Sequence, residues 1–491
     1  MSGTSPFPPR GTGDPKRDAN APRQTWVRGS DLGNRWDWTP GKLRLGVDDQ
    51  GRVVSERDRD GPKDRPNLYR GKGDDRHVVT IAGSRAGKSS TVLIPNLLRY
   101  PGSVLVIDPK GELARRTAAA RQASLGHEVI VLDPYGVSGE ASQAYNPLDE
   151  LDPKAGTFVD DVALVAASLI STATHGDPFW PDAARNLLRA ILLYMASTPS
   201  EFSLLRLRRI LMGDEGGLMR PQIDADADEK AQDDAIDNYL FGKMMLSDEF
   251  DGLVERYGRS FHEKATKEMS SIVSFAREQT AFLDSQAMAA VLASSPLRLG
   301  VLKRRPVTIY LCLPASRLST HFRWLRLIVE LGFVRLEDNH VPQFPVLFVL
   351  EEFAALEHLR SIERAAGFFA GFGVRLWAVL QDLSQLKTHY PNSYETFLGN
   401  AGLLQAFGNV DITTTEYLSK RLGEAQYVHI ERGQASSASL QAGNLGYQES
   451  LRSVPLLAPF EIAEAFSRES HRQLILATGW PPIYCNRLDW E

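Results

Sequence analysis

The chain has 491 residues, 43% of them hydrophobic and 24% charged, which suits two or three globular domains with a large buried core. Its formal net charge of −5 excludes a global attraction to nucleic acid, so any contact with DNA must come from local patches. Two cysteines, Cys312 and Cys485, lie far apart and outside any metal-ligand spacing, which excludes a disulfide framework and reads as two buried structural thiols.

The chain opens on a basic, Pro- and Gly-rich tail within residues 1–40, without an apolar signal core, and this composition reads as disorder. Alternation of Leu43, Leu45 and Val47, a polar turn, then Val53 and Val54 predicts a hairpin over 41–55, followed by a charged loop, 56–76. From Val78 to about Asn146 the pattern is strand, helix, strand, helix, strand. The strands are 78–82, 103–108 and 128–133, with a helix over 111–125 between the last two. Each strand is a β-branched run ending in a polar residue, as buried parallel strands require, so a doubly wound sheet begins here. Helical periodicities then replace strands, at 158–174, 181–197, 203–212, 260–279 and 284–294. The acidic stretch Asp224–Asp237 within this block reads as a solvated face. Strand-like runs resume at 307–313, 345–352, 374–381, 403–408 and 474–479. The expected layout is a first part of an α/β domain over 41–155, an all-α domain over 156–298, and the second part of the α/β domain over 299–491. No window reaches the roughly 18 apolar residues of a membrane helix, so the chain is expected in the cytoplasm.

Three stretches carry chemistry. Ala82–Ser89 fits the phosphate-loop pattern, a small residue followed five positions later by Gly-Lys-Ser. In that pattern the backbone N–H groups of Gly83, Ser84, Arg85, Ala86, Gly87, Lys88, Ser89 and Ser90 line a concave site for phosphate oxygens. Lys88 reaches the β- and γ-phosphates and Ser89 places its hydroxyl on Mg²⁺, so ATP and Mg²⁺ are the expected ligands. The run PVLFVLEE ends in adjacent acids, and such a strand end is expected to face the same crevice as the loop. Glu351 would join the Mg²⁺ shell and Glu352 would polarise the attacking water. Asp is usual at the first of these positions, and Glu351 is longer. Gln381 closes the strand VRLWAVLQ, where an amide can touch both the γ-phosphate and the attacking water. Arg364 and Arg375 are the candidates for an arginine delivered to a neighbouring subunit. Lys110 and Glu112, in DPKGE, either line the crevice or cap the helix that follows.

These stretches, in this order, closely resemble the coupling ATPases of type IV secretion and conjugation, the TraG-like proteins. Further likeness lies in FWPDAARNLLRAILLY, RRPVTIYLCLPASRL and VPLLAPFEI…LILATGWPPIY, and it spans roughly Leu43 to Tyr484. The resemblance implies a RecA-like nucleotide-binding domain interrupted by an all-α domain. It also implies a homo-oligomeric ring, usually hexameric, that couples ATP hydrolysis to export of DNA (single-stranded and relaxosome-bound) or effector proteins through type IV secretion channel components. Carried onto this sequence, the phosphate-loop roles fall on Gly83, Gly87, Lys88 and Ser89, the metal and water roles on Glu351 and Glu352, and the sensor role on Gln381. Three departures stand out. Ala82 replaces the first loop glycine. Ala370 stands where some relatives carry the interface arginine, leaving Arg375 or Arg364 to serve. Family members usually begin with membrane helices and this sequence shows none, so either a separate membrane-anchoring protein is expected to hold it peripherally at the inner face of the membrane, or it works as a soluble motor. A non-hydrolysing adapter that recruits protein effectors, and a small-molecule kinase, are the alternatives; the helical insert argues against the kinase.

Overall fold

The computed structural model describes residues 26–58, 76–171, 178–221, 235, 238–359, 361–363, 369–432 and 447–489. The acidic side chains of the stretch Asp224–Asp237, Arg364, residues 1–25 of the tail and most of the charged loop lie outside the described residues. In chain order the strands are β1 Val27–Arg28, β2 Arg44–Val47, β3 Val53–Ser55, β4 Val78–Ala82, β5 Val104–Ile107, β6 Glu128–Leu132, β7 Val307–Leu311, β8 Val346–Leu350, β9 Val374–Leu380, β10 Leu403–Phe407, β11 Glu424–Arg432, β12 Tyr447–Pro455, β13 Arg472–Ala477 and β14 Ile483–Asn486. The chain divides into two compact units: the described residues up to Tyr100 together with those from Leu376 onward, and Pro101–Arg375.

In the first unit β4 runs parallel to both of its neighbours, with Ala82 opposite Phe407 on β10 and Ile81 opposite Leu380 on β9. Beyond β10 the sheet continues antiparallel through β13, β14, β2 and β3, and the predicted hairpin is β2–β3. β11 and β12 form a separate antiparallel ribbon. Every residue of β4 and β10 is buried, which is why both read as largely apolar runs. Their two polar residues are satisfied inside the sheet. Thr80 accepts from Trp377 Nε1 at 2.9 Å and donates to Gln405 Oε1 at 3.2 Å. The Gln405 amide in turn donates to the Leu45 carbonyl and to Gln473.

The helix after β4 starts as a π turn, Ser89–Leu93, and continues as α-helix over Ile94–Leu97. Pro95 explains the start: it has no N–H to return to the Thr91 carbonyl, and the bond that closes the turn runs from Ile94 N–H to the Ser89 carbonyl. Asn96, buried on this helix, binds β2 like a missing strand. Its Oδ1 accepts from Arg44 N–H at 2.7 Å and its Nδ2 donates to the Arg44 carbonyl at 2.9 Å.

In the second unit β8, β5, β7 and β6 lie side by side, all parallel, with Leu350 opposite Ile107. The helix Glu112–Leu125 joins β5 to β6, starting after Gly111 at φ 62° and stopping at Gly126 at φ 68°. Gly111 has no substitute, because a Cβ there would lie 2.4 Å from Ser138 N. Between β6 and β7 the described residues are helical: Phe158–Leu169, Phe179–Ala196, Leu204–Met212, Leu240–Met245, Glu249–His262, Thr266–Gln279 and Gln286–Val291, with one isolated bridge from Gly217 to Tyr239. The helix predicted over 260–279 is broken at Glu263–Ala265, where Ala265 is extended. The buried residues Val254, Gly258 and Phe261 before the break and Met269, Ile272 and Val273 after it keep a helical spacing across it, so periodicity does not report the interruption. Both cysteines are buried, and burial pushes the Cys485 thiol up to about 12 and the Cys312 thiol up as well. Among the described residues no helix is long and apolar enough to cross a membrane.

Asn96→Ala leaves the Arg44 N–H and carbonyl without their partner inside the sheet edge. The expected loss is about 2 kcal/mol, read as a lower midpoint of thermal unfolding with faster amide exchange confined to β2 and β3.

Candidate nucleotide-binding site

The loop after β4 is shaped by close backbone packing in the first unit. Gly83 N–H donates to the Phe407 carbonyl at 3.2 Å, and Ala86 N–H donates to the Gly83 carbonyl at 3.2 Å. A Cβ on Gly83 would fall 2.0 Å from the Gly408 carbonyl oxygen, and a Cβ on Gly408, itself at φ 64°, would fall 2.6 Å from Ala86 Cβ. Arg85 at φ 57° and Gly87 at φ 90° give the loop two left-handed residues separated by Ala86. Such a reversal turns successive N–H groups toward one side, the geometry of an anion nest. Ala82, the departure at the loop's first position, needs no left-handed backbone: it closes β4 and is buried there.

Ser84 and Arg85 are exposed at the loop's tip, while Ala86 is buried beneath it. Lys88 Nζ donates to the Ala82 carbonyl at 2.9 Å, which holds the ammonium against the loop. The hydroxyls of Ser90 and Thr91 both donate to the Gly87 carbonyl, at 3.2 and 2.8 Å, and so pin the helix start. Among the described residues no group of three or more His, Cys, Asp or Glu forms a metal cluster. A loop with a Ser hydroxyl at a helix start fits Mg²⁺ held largely by phosphates and water, since that ion is usually bound by one or two protein groups.

Gln381 belongs to the same unit, one residue past the Leu380–Ile81 pair and thus level with Ala82. Its peptide is held from both sides. Gln385 Oε1 accepts from its N–H at 3.0 Å, and Asn409 Nδ2 donates to its carbonyl at 3.2 Å. Asp382 caps the helix Leu383–His389 that follows, accepting from Gln385 N–H at 3.0 Å. The fold therefore brings Gln381 and the phosphate loop to the same end of adjacent strands.

Glu351 and Glu352 lie in the second unit, at the end of β8. Glu351 is buried, and Glu352 is left-handed at φ 57°. The turn Phe353–Leu356 follows, and Glu357 then takes φ 54°, ψ −157°, a region that side chains avoid. Two strained residues thus bracket one short turn. The strain is held by neighbours: Glu357 accepts from Ser171 Oγ, and Arg326 donates to the carbonyls of Leu356 and His358, each at 3.2 Å. Beside β8, Asp108 directly follows β5, level with Glu351, as Ile107 pairs with Leu350. Its Oδ2 accepts from Ala114 N–H at 2.8 Å, so Asp108 caps the helix, a task considered above for Lys110 and Glu112. Burial pushes the Asp108 carboxyl up to about 6, against several N–H groups that pull it down.

Arg375 requires a correction. It is 2% exposed on β9, so its guanidinium is enclosed by its own chain and does not extend to a neighbouring subunit. Gly408, Asn409, Glu357 and Arg487 were not singled out from sequence. Gly408 had a signal, a glycine directly after a buried strand; the others had none, because their roles depend on contacts between distant segments.

The profile of the family described as "Type IV secretory system Conjugative DNA transfer" matches residues 44–490. The chain is 26% identical over 440 residues to the conjugal transfer protein TraG of Escherichia coli, covering 83% of this chain and 66% of that protein. It is 28% identical over 431 residues to protein VirD4 of Rhizobium radiobacter, covering 86% and 58% respectively. The chain therefore matches less than two thirds of the length of these relatives. Among solved structures, the plasmid coupling protein TrwB in complex with the ATP analogue ADPNP superimposes with a TM-score of 0.62 at 16% identity, over 99% of this chain and 96% of that one. The fold is accordingly a RecA-like phosphate-loop domain interrupted by an all-α domain. With the family profile spanning nearly its whole length, this chain belongs to the type IV secretory system conjugative DNA transfer family.

Proposed function

We propose that this protein is an ATP-hydrolysing coupling motor that recruits DNA and drives it into a type IV secretion apparatus. The observation that carries the reading is the phosphate loop itself: a nest closed by Gly83 against Gly408, with Gln381 level with its first residue. Membership of a conjugative DNA transfer family supplies the substrate class. A nucleotide bound by the TrwB structure, which shares the fold, supports the same ligand class here.

In this reading the N–H groups from Gly83 to Ser90 bind the phosphates, and Lys88 leaves the Ala82 carbonyl to neutralise them. Ser89 would hold Mg²⁺, with Glu351 the acid that the sequence pattern assigns to the same role, and the charge of that ion would stabilise the leaving phosphate oxygens. Glu352 accepts the proton of the attacking water, and the Gln381 amide orients that water. The motor works as a ring of six copies on single-stranded DNA, with type IV secretion channel components as partners. The helices Glu249–His262 and Thr266–Gln279 offer no continuous basic track. Arg259 pairs with Glu255 at 2.5 Å and Lys264 with Glu268 at 2.6 Å. DNA contact from this region therefore rests on few phosphates and is independent of sequence.

Glu352→Gln removes the proton acceptor while keeping the shape. Turnover of ATP, measured with and without single-stranded DNA, is expected to fall by roughly 10²- to 10⁴-fold, with the affinity for MgATP nearly unchanged. Wild-type protein that binds MgATP but never turns it over, with or without DNA, would sink the motor in favour of the adapter. Gly408→Ala places a methyl against Ala86 and is expected to weaken MgATP binding by roughly tenfold to a hundredfold, as a displaced site does; equilibrium titration with a fluorescent ATP analogue measures it.

A further inference from the structure

Arg487 follows β14, far from every motif of the nucleotide site in sequence, yet it meets the back of the phosphate loop. Its Nη1 donates to the Ala86 carbonyl, and its Nη2 donates to the Arg468 carbonyl at 2.5 Å. The guanidinium lies over the Phe407 ring, 5.0 Å from its centroid, and Phe407 is the residue whose carbonyl receives Gly83 N–H. The main chain of Arg487 is tied down too, its N–H donating to the His471 carbonyl at 2.8 Å. The residue is 6% exposed.

We propose that Arg487 is a positioning residue of the phosphate loop: it sets the Ala86–Gly87 peptide and places positive charge behind the phosphates. This rests on the nucleotide reading above. Two independent physical arguments lead to it.

The first is geometric. A trans peptide is planar, so a carbonyl and the N–H that follows it point in opposite directions, and the described chain has no cis bonds. A carbonyl of Ala86 drawn back to Arg487 therefore turns the Gly87 N–H to the opposite face of the loop. Ala86 is the residue between the two left-handed positions, Arg85 and Gly87, on which the nest depends. Without the arginine nothing else among the described residues bonds that carbonyl outside the loop's own helix.

The second is electrostatic. Among the described residues no carboxylate lies within ion-pair distance of Arg487, whose hydrogen bonds go to main-chain carbonyls only. Asp489 and Glu469 act on it from farther away, and burial is the largest influence, lowering its pKa from the usual arginine value. A guanidinium stays charged even so. A buried cation without a contacting anion is costly, and a structural clamp between carbonyls could be built more cheaply from a neutral side chain. A polyphosphate in the loop supplies the anion that the fold leaves out.

The test uses the full chain with Arg487→Met, Arg487→Lys and, as a control on the nucleotide reading, Lys88→Ala. The probes are a fluorescent MgATP analogue titrated to equilibrium and steady-state ATP turnover, with thermal midpoints reporting the folded fraction. Arg487→Met is expected to raise Kd and KM about tenfold, as loss of a charged hydrogen bond would, while kcat at saturation stays near wild type. Arg487→Lys, which keeps the charge and one donor, is expected to fall between. A residue that merely clamps the C-terminal segment would lower the active fraction, hence kcat, with Kd and KM unmoved, and that outcome overturns the proposal while leaving the nucleotide reading intact. If the methionine variant does not fold, the lysine variant decides: a raised Kd supports the proposal and an unchanged Kd overturns it. Wild-type protein that binds the analogue no better than Lys88→Ala would defeat the nucleotide reading, and this inference with it.

Discussion

The first unit is built around one steric condition: two backbones must touch at Gly83 and Gly408 with no Cβ between them. Glycine at both positions lets the turn after β10 close over the turn after β4, and the Gly83–Phe407 hydrogen bond continues the strand pairing into the loop. The condition in turn demands that β10 run parallel to β4 in a single register, with Phe407 level with Ala82. A slip of one residue would put side chains where the carbonyl of Gly408 now lies. The buried pair Thr80–Gln405 reinforces that register, because each needs the other inside an otherwise apolar sheet.

The second unit keeps its tension at the end of β8. Left-handed backbone at Glu352 and Glu357 costs of order 1–3 kcal/mol at each position. Arg326 on the helix Ala315–Arg335 and Ser171 just past the helix Phe158–Leu169 together over-determine the turn between them. Strain of this kind persists only where the surrounding structure holds it in place. The helical block and the acidic strand end are thus joined by side chains as well as by the chain.

Much of this was legible in the sequence because it is local. Buried parallel strands read as apolar runs, and the strands predicted at 78–82, 307–313 and 403–408 begin where the structure has them. The phosphate loop is a contiguous pattern, and Gln381 was found as the polar end of a strand. What could not be read depends on contacts between distant segments. The break at Glu263–Ala265 hides within a spacing that stays helical on both sides. Arg375 stood as a candidate beside Arg364 because a lone arginine between motifs carries no mark of burial, and only the folded β9 encloses it. Pro95 was visible from the start, but its effect, a π turn directly after the loop, needed the hydrogen bonds to be seen.

The contact between Arg487 and Ala86 spans 401 positions, and β4 pairs with strands about as remote. During synthesis the phosphate loop therefore leaves the ribosome long before β9, β10 and the arginine behind it exist. A nascent chain holding the loop alone has the motif without the support that shapes it, and its apolar β4 waits exposed for partners not yet made. The same long-range closure that orders the loop thus leaves the half-made chain with apolar strand surface uncovered until its last strands are made.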